Sequence, residues 1–372
     1  MRSPRISNRR PKASRGFTIV ELLVAVALGL LLLGALITLV VSTIGNRTEL
    51  DKTSRQVESG RYALQVLSTD IESAGFVGTT GDQTWERGAA PSLSSGGRSF
   101  TLAVCPGNVA GLGYDAPAGT PAPPPLLPLA VQMLETVPTC LSAANVKPGT
   151  AMLLITRVSS QEVLTTAAST SEAYVQISTC GTDSQPLAIG LGGGSAFSLH
   201  QKDCAALAPL RKVIHRIYFI STCNECATGK NDGIPTLKVV EYAGGAMSAT
   251  PTSLADGIDD LQLDYGVDMG AGYNGSPDCY ISKNYAETPV FVTDDAAICP
   301  TPATYERKDV VTVRINLLAR TTEKPSGWKD DGRTFSLGLA KPSVGPFNDG
   351  YKRMAYSTVA RIINISALRE TP

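Results

Sequence analysis

The stretch RGFTIVELLVAVALGLLLLGALITLVVSTIG, residues 15–45, decides the architecture of this chain of 372 residues. From Phe17 to Ile44 its only ionisable side chain is Glu21. This apolar run is about 28 residues long, and about 20 suffice to cross a bilayer. We therefore predict a membrane-spanning helix with one acid near its start. An isolated carboxylate in hydrocarbon is costly, so we expect Glu21 to have a partner or a task.

A basic leader without acids precedes the apolar run. Its cations are Arg2, Arg5, Arg9, Arg10, Lys12 and Arg15. Positive flanks stay in the cytoplasm, so residues 1–16 are predicted to be a cytoplasmic leader peptide and the remainder to lie outside. An ordinary secretory signal has a shorter core followed by its cleavage site, whereas here the processing cue, Gly16-Phe17, precedes the core. From hydropathy alone, an uncleaved signal anchor is the alternative interpretation.

The stretch RGFTIVELL, residues 15–23, closely resembles the class III signal of type IV pilins and pseudopilins. The resemblance implies that a prepilin peptidase cuts after Gly16 and that the new N-terminal residue, Phe17, is N-methylated. It also implies an assembly role for Glu21. In a filament its carboxylate meets the amine of a neighbouring subunit, and each charge lowers the desolvation cost of the other. The alternative role is a favourable contact with the helix dipole, worth about 0.3–1 kcal/mol.

The apolar run passes into an amphipathic segment. Apolar residues recur every seven positions on one side, and two more fill the same side: Leu50, Val57, Leu64 and Ile71, with Leu67 and Ala74. This pattern is typical of a helix that contacts a partner along one stripe. No proline occurs in residues 17–73. We therefore predict one long helix with a transmembrane half at 17–45 and an amphipathic half at 46–76. Its predicted partner is the protein's own β domain, and a coiled coil is the alternative.

A second signature follows at the end of this helix. The stretch LSTDIESAGF, residues 67–76, resembles the PilW-type minor pilins, which have Leu-x-x-Asp-Ile-Arg-x-Ala-Gly-Phe/Tyr there. Glu72 stands where that pattern has Arg. Gly75 can adopt a positive φ and end the helix. Residues 255–268 and 310–320 resemble the same family, so the resemblance touches both ends of the chain.

Short segments rich in Val, Ile, Thr and Tyr make up much of the rest. They predict strands at 100–104, 152–158, 173–178, 213–220, 237–242, 261–267, 310–318 and 355–365. The predicted fold class is therefore α+β. The family resemblance specifies it as type IV pilin-like, with the long N-terminal helix packed on an antiparallel β-sheet domain. Residues 77–372 exceed a small pilin head, so we expect an extra β subdomain at 80–210. The Pro-rich residues 115–125 are predicted to be a surface loop.

Eight cysteines follow the predicted membrane helix: Cys105, Cys140, Cys180, Cys204, Cys223, Cys226, Cys279 and Cys299. An even number on the oxidising side predicts disulfides, so residues 77–372 are expected to be a periplasmic, disulfide-containing β-rich domain. Sequential pairing is the simplest arrangement, although the sequence does not determine it. Cys223 and Cys226 are predicted to form a short structural disulfide. A thioredoxin-like redox pair is one alternative, and zinc with His200, Cys204 or His215 is another.

The composition gives no sign of catalysis or of nucleic-acid binding. Lys+Arg and Asp+Glu both number 33, so the net charge is zero and no global field attracts a polyanion. The Gly-rich residues 190–194 lack the lysine of a phosphate loop, and neither a Gly-x-Ser-x-Gly nor a His-Glu-x-x-His motif occurs. Four acids do not have EF-hand spacing and are predicted to lie on a solvated turn and strand face: Asp259, Asp260, Asp264 and Asp268. We expect no enzyme activity, cofactor or metal.

The resemblance implies a structural role as a PilW-type minor pilin that helps to initiate or prime type IV pilus assembly, at or near the pilus tip. It implies a single-pass protein of the inner membrane, with its N-terminus in the cytoplasm and its globular domain in the periplasm. The protein would later enter the pilus. Twitching motility is a function of such pili in the family. The implied partners are other minor pilins, the major pilin, the prepilin peptidase, the inner-membrane assembly platform and a tip adhesin. One alternative is a minor pseudopilin of type II secretion. The other is a membrane-anchored periplasmic binding or redox module that uses Cys223 and Cys226.

Overall fold

A computed structural model describes most of the chain outside the leader. The described residues are 16–78, 86–88, 92–95, 98–101, 103–115, 125–134, 136–194, 196–227, 230–269, 274–284, 290–299, 309–329 and 332–370. Within them the chain forms two compact units, Met1–Asp51 and Lys52–Pro372. Most of the predicted Pro-rich loop, residues 116–124, lies outside the described part.

The first element is helix α1, Ile19–Glu72, which continues without interruption for 54 residues. Its long apolar start and the absence of proline favour one continuous helix, and the predicted long helix is confirmed. Helix α1 ends at Glu72, three residues before Gly75, the residue that the sequence predicted to stop it. Gly75 adopts a φ of 73°, in the left-handed region, and its N–H donates to the carbonyl of Thr156 at 3.0 Å.

Short strands fill the unit Lys52–Pro372. In chain order they are β1 Glu86–Gly88, β2 Ser92–Ser95, β3 Arg98–Thr101, β4 Leu126–Pro128, β5 Val131–Met133, β6 Leu153–Val163, β7 Ala173–Ile177, β8 Leu187–Leu191, β9 Leu210–Ser221, β10 Thr236–Ala243, β11 Ala246–Met247, β12 Thr252–Asp256, β13 Ile258–Val267, β14 Cys279–Asn284, β15 Val290–Thr293, β16 Val310–Arg320 and β17 Arg353–Arg361. A short helix, α2, follows at Ile363–Ser366. The predicted strand at 355–365 is therefore wrong at its end, where the backbone turns into a helix.

The described strands form two main sheets. One contains eight strands in the order β11-β10-β9-β6-β5, with β12 added to β10 and with β7 and β8 joined through β9. The other contains five antiparallel strands in the order β15-β14-β13-β16-β17. Two small pairs, β1-β4 and β2-β3, lie outside these sheets. Helix α1 and the mainly antiparallel sheets confirm the predicted α+β class.

Helix α1 and both sheets contribute to one apolar core. Ala63, Leu67 and Ile71 of α1 pack in it with strands β6 and β9 of the larger sheet and β13 and β16 of the smaller one. The partner of this part of the helix is therefore the protein's own β domain. Burying such side chains contributes roughly 1.5–3 kcal/mol each for residues of the size of leucine and isoleucine.

The buried stripe of α1 differs from the predicted seven-residue stripe. Leu50 is 70% exposed, whereas the buried residues include Gln56, Gly60 and Ala63. A straight α-helix drifts by about 20° per heptad, so an exact seven-residue repeat leaves the contact face. The actual face also needs small residues, since a Cβ atom on Gly60 would lie 2.5 Å from the ring of Tyr356.

Candidate assembly site

The N-terminal start of α1 brings the predicted processing and assembly residues together. Phe17 is 81% exposed, and Gly16 precedes it in non-helical backbone. The hydroxyl of Thr18 accepts a hydrogen bond from the backbone N–H of Glu21 at 3.2 Å, which caps the helix. Glu21 thus occupies the third helical position of a Thr-x-x-Glu start, where Glu is favoured. The structure thus adds a capping role at the helix start. The sequence had suggested two roles for the Glu21 carboxylate, pairing with the amine of a neighbouring subunit and contact with the helix dipole.

The apolar surface after this cap is large. The bulky apolar side chains in residues 17–44 are between 52% and 81% exposed. A water-facing surface of this kind would be costly, so lipid or other apolar helices must cover it. By length and composition the helix is long and apolar enough to cross a membrane.

The other end of α1 carries a partly buried ionic cluster that we call the Asp70 clasp, formed by Asp70, Arg157, Arg216, Tyr218 and Glu241. Asp70 is only 4% exposed. Its carboxylate accepts hydrogen bonds from Arg157 Nε at 2.7 Å, from the Tyr218 hydroxyl at 2.6 Å and from Arg216 Nη1 at 3.3 Å. Arg216 Nε donates in addition to Glu241 at 2.9 Å. The clasp ties the end of α1 to three neighbouring strands, β6, β9 and β10.

Electrostatics keep the donors of the clasp protonated. Burial raises the pKa of the Tyr218 hydroxyl, and the negative charge of Asp70 raises it further. For Arg216, burial lowers the pKa, but the charges of Asp70 and its other partners outweigh burial and the net direction is upward. Both groups therefore donate to Asp70 throughout the physiological pH range.

Sequence reasoning quoted Asp70 only as part of the family signature and gave it no role. A signal was present, because Ala63, Leu67, Asp70 and Ala74 follow one another at spacings of four and three and so share one helix face. An acid on the apolar face of a helix needs a buried partner. The partners themselves lie far along the chain and could not be read from local sequence.

The prediction that the acids around β13 face solvent is wrong, because Asp259, Asp260, Asp264 and Asp268 are all buried. Asp259 accepts from Arg353 Nε at 2.7 Å and also contacts Lys147. Burial raises the pKa of Asp259, but the two cations outweigh it and the net shift is downward.

The other acids are held by different partners. Asp260 accepts from Lys341 Nζ at 2.5 Å, although burial still raises its pKa on balance. Asp268 accepts the backbone N–H of Gly275 at 2.9 Å. Among the described residues, no three or more His, Cys, Asp or Glu side chains are grouped so that they could hold a metal ion. These acids are structural anchors of the five-stranded sheet.

The two histidines have separate environments. His200 Nδ1 lies 2.9 Å from Asp183 Oδ1. His215 is buried between the Thr156 hydroxyl and the carbonyl of Val104, each at 3.1 Å. Burial lowers the pKa of His215 to about 4, so its ring is neutral at neutral pH.

All eight cysteines lie in the described part of the chain and form four disulfides in sequence order. The pairs are Cys105–Cys140, Cys180–Cys204, Cys223–Cys226 and Cys279–Cys299. No free cysteine remains. The cysteines that the zinc alternative would use, Cys204, Cys223 and Cys226, are all engaged in these disulfides.

A family model, the prokaryotic N-terminal methylation motif, matches residues 11–37 and so covers the predicted cleavage site and Glu21. A methylation motif on a long apolar helix, followed by antiparallel sheets, is a pilin-like architecture. A second family model, type IV pilus-assembly protein W, matches residues 217–364, from strand β9 to helix α2. Through these two matches the chain is similar to the PilW-type minor pilins of type IV pilus systems. Comparison with curated proteins and with solved structures gives no match.

Proposed function

We propose that this protein is a minor pilin that helps to initiate type IV pilus assembly and that takes a position at or near the pilus tip, without catalysing a reaction. The observation that carries the proposal is the joint occurrence of the methylation motif on α1 and the pilus-assembly match over the five-stranded sheet. A major pilin repeats along the filament, so each copy must pack against identical copies. Here the additional eight-stranded sheet gives the subunit a bulk that suits an end position better than a repeating one.

The topology that we propose follows from charge and redox chemistry. The basic leader holds the N-terminus in the cytoplasm, and residues 77–372 form the periplasmic domain. Four disulfides support an oxidising compartment for that domain. The partners are the prepilin peptidase and the assembly platform in the membrane, and then other minor pilins, the major pilin and a tip adhesin.

Deletion of the gene in its native host tests this function. We expect few surface pili in the deletion strain and recovery on complementation, because a priming subunit is needed before the filament can grow. Gold-labelled antibodies against residues 77–372 should mark pilus ends in the complemented strain. Normal piliation in the deletion strain would contradict priming, and label along the shafts would contradict the end position. Normal pili with a loss of exported proteins from the medium would instead favour the pseudopilin alternative.

Processing of the leader gives a second test. Because the cue Gly16-Phe17 precedes the apolar run, intact-mass analysis of membrane-extracted protein should show loss of residues 1–16 and one added methyl group. Gly16→Leu should retain the leader, whereas Gly29→Leu, a control in the middle of the apolar run, should be processed normally. A wild-type protein that keeps its leader in a host with an active prepilin peptidase would contradict the cleavage assignment.

A further inference from the structure

The Cys223–Cys226 disulfide differs from the other three in what it contributes to the fold. It joins residues separated by 3 positions, whereas the other bridges span 35, 24 and 20 positions. The stabilisation that a disulfide provides by restricting the unfolded chain grows with the length of the loop it closes. Opening this bridge therefore costs the fold least.

Its surroundings hold a buried cation. Lys238 on strand β10 is only 6% exposed. Its Nζ donates to the carbonyl of Asn224 at 2.7 Å and lies 3.6 Å from Cys226 Sγ. Among the described residues, no carboxylate forms an ion pair with Lys238, although buried charges are normally paired. Burial lowers the pKa of Lys238, and the more distant charge of Asp232 only partly opposes this.

A reduced Cys226 would supply the missing anion. A cysteine thiolate beside an ammonium is stabilised, and its thiol pKa falls. The hydroxyl of Ser221 lies 3.3 Å from the same sulfur, so it can donate a hydrogen bond to that thiolate. The oxidised pair leaves the buried charge of Lys238 without an adjacent anion, so this environment favours the dithiol state.

The loop around the pair is also held independently of the disulfide. The carboxylate of Asp232 accepts hydrogen bonds from the backbone N–H groups of Asn224, Glu225 and Ile234, each at 3.0 Å. None of these three bonds involves a sulfur atom, so opening the sulfur–sulfur bond removes none of them directly. Cys226 is half-buried, whereas Cys223 is fully buried, so an external thiol reaches the sulfur of Cys226 first.

We propose that Cys223-Asn224-Glu225-Cys226 is a thiol–disulfide exchange site that reacts with a dithiol reductant. A thiolate of the reductant attacks Cys226 Sγ, a mixed disulfide forms, and Cys223 leaves as a thiolate that takes up a proton. The second thiolate of the reductant then attacks its own sulfur in the mixed disulfide and releases Cys226 as a thiolate beside Lys238. Two electrons pass from the reductant to the cysteine pair, and the reductant becomes a disulfide.

Titration of the full chain in detergent with reduced and oxidised dithiothreitol tests the proposal. Acid quenching, alkylation and peptide mass spectrometry give the reduced fraction of each cysteine pair. We expect Cys223 and Cys226 to reach half-reduction at a ratio of reduced to oxidised dithiothreitol at least tenfold lower than the other three pairs. Reduction of this pair together with the others, or after them, would overturn the proposal.

Variants of the lysine separate the cation from the short loop. Lys238→Met should move half-reduction of this pair to a ratio several times higher, and Lys238→Gln serves as a polar replacement in case the first variant folds poorly. The matched control is Lys212→Met on β9, whose ammonium lies 3.0 Å from Glu172 and should leave the ratio unchanged. An unchanged ratio in both Lys238 variants would show an ordinary structural disulfide.

A kinetic measurement checks the thiolate directly. In Cys223→Ser, Cys226 is the single free thiol, and its rate of alkylation by iodoacetamide can be followed against pH. We expect the half-maximal rate at a pH clearly below the value of about 8.5 for a free cysteine. Adding Lys238→Met should move it upward. A half-maximal rate at or above the free-cysteine value would overturn the role of Lys238.

Discussion

Asp70→Ala should lower the free energy of unfolding by about 3–5 kcal/mol, which is the usual cost of removing one partner from a buried ion pair. The substitution leaves Arg157 and Arg216 without their shared carboxylate and the Tyr218 hydroxyl without its acceptor. Urea unfolding of the full chain in detergent, followed by circular dichroism, measures the effect as a lower midpoint at unchanged slope.

Two variants make this test specific. Glu72→Ala removes an exposed acid two positions along the same helix and should change the free energy of unfolding by less than about 0.5 kcal/mol. Asp70→Asn keeps an acceptor oxygen but removes the charge, so its cost should fall between those of the two alanine variants. If Asp70→Ala costs no more than Glu72→Ala, the clasp does not stabilise the packing of α1 on the sheets.

Glu21→Ala should reduce the amount of this protein in sheared pili by tenfold or more while the protein remains in the membrane. This follows if the carboxylate pairs with the Phe17 amine of a neighbour, because an amine left unpaired costs about 3–5 kcal/mol and about 1.4 kcal/mol is a factor of ten. Membrane insertion should become easier, by less than the ~2.5–3.5 kcal/mol that a central Asp costs. Leader removal at Gly16 should persist, because the cut precedes the substituted residue.

Because Glu21 lies in the first turn that Thr18 caps, its charge-pairing role and its capping role can be separated by substitution. Glu21→Gln keeps a side chain that suits a helix start but removes the charge. Glu21→Asp keeps the charge. Charge pairing predicts that Gln fails like Ala and that Asp retains incorporation, whereas a capping role predicts that Gln is tolerated. Wild-type incorporation of the Ala variant would contradict both accounts of assembly, and the helix-dipole role would then remain.

Structural features that depend on residues close together in the chain could be predicted from the sequence. The long helix followed from an uninterrupted apolar run, and Gly75 marked its end, because both depend on neighbouring residues alone. The processing and assembly residues Gly16, Phe17 and Glu21 were also found locally, as one compact motif. Their roles remain predictions that the experiments above address.

The errors arose where distant residues meet. Asp259 and Asp260 were placed on a solvated face because local sequence shows acids beside a turn, and nothing nearby indicated that Lys147, Lys341 and Arg353 would reach them. Lys238 likewise approaches Cys226 only because β10 passes the end of β9. The cations that reach Asp259 and Asp260 lie 81 to 112 residues away along the chain. Strand order brings such partners together, and single-sequence reasoning does not supply strand order.

The order of the four disulfides also determines which contacts carry a pulling force applied along the chain. Each bridge closes a loop of its own, all four follow α1, and none of them spans the contact between α1 and the sheets. Tension between α1 and the last strand therefore acts on noncovalent contacts first, among them the Asp70 clasp. Each disulfide prevents its own loop from being extended. The bridges therefore limit how far the chain lengthens once those noncovalent contacts are broken. Under tension the contact between α1 and the sheets should therefore break first, and the disulfides should then limit further extension of the chain.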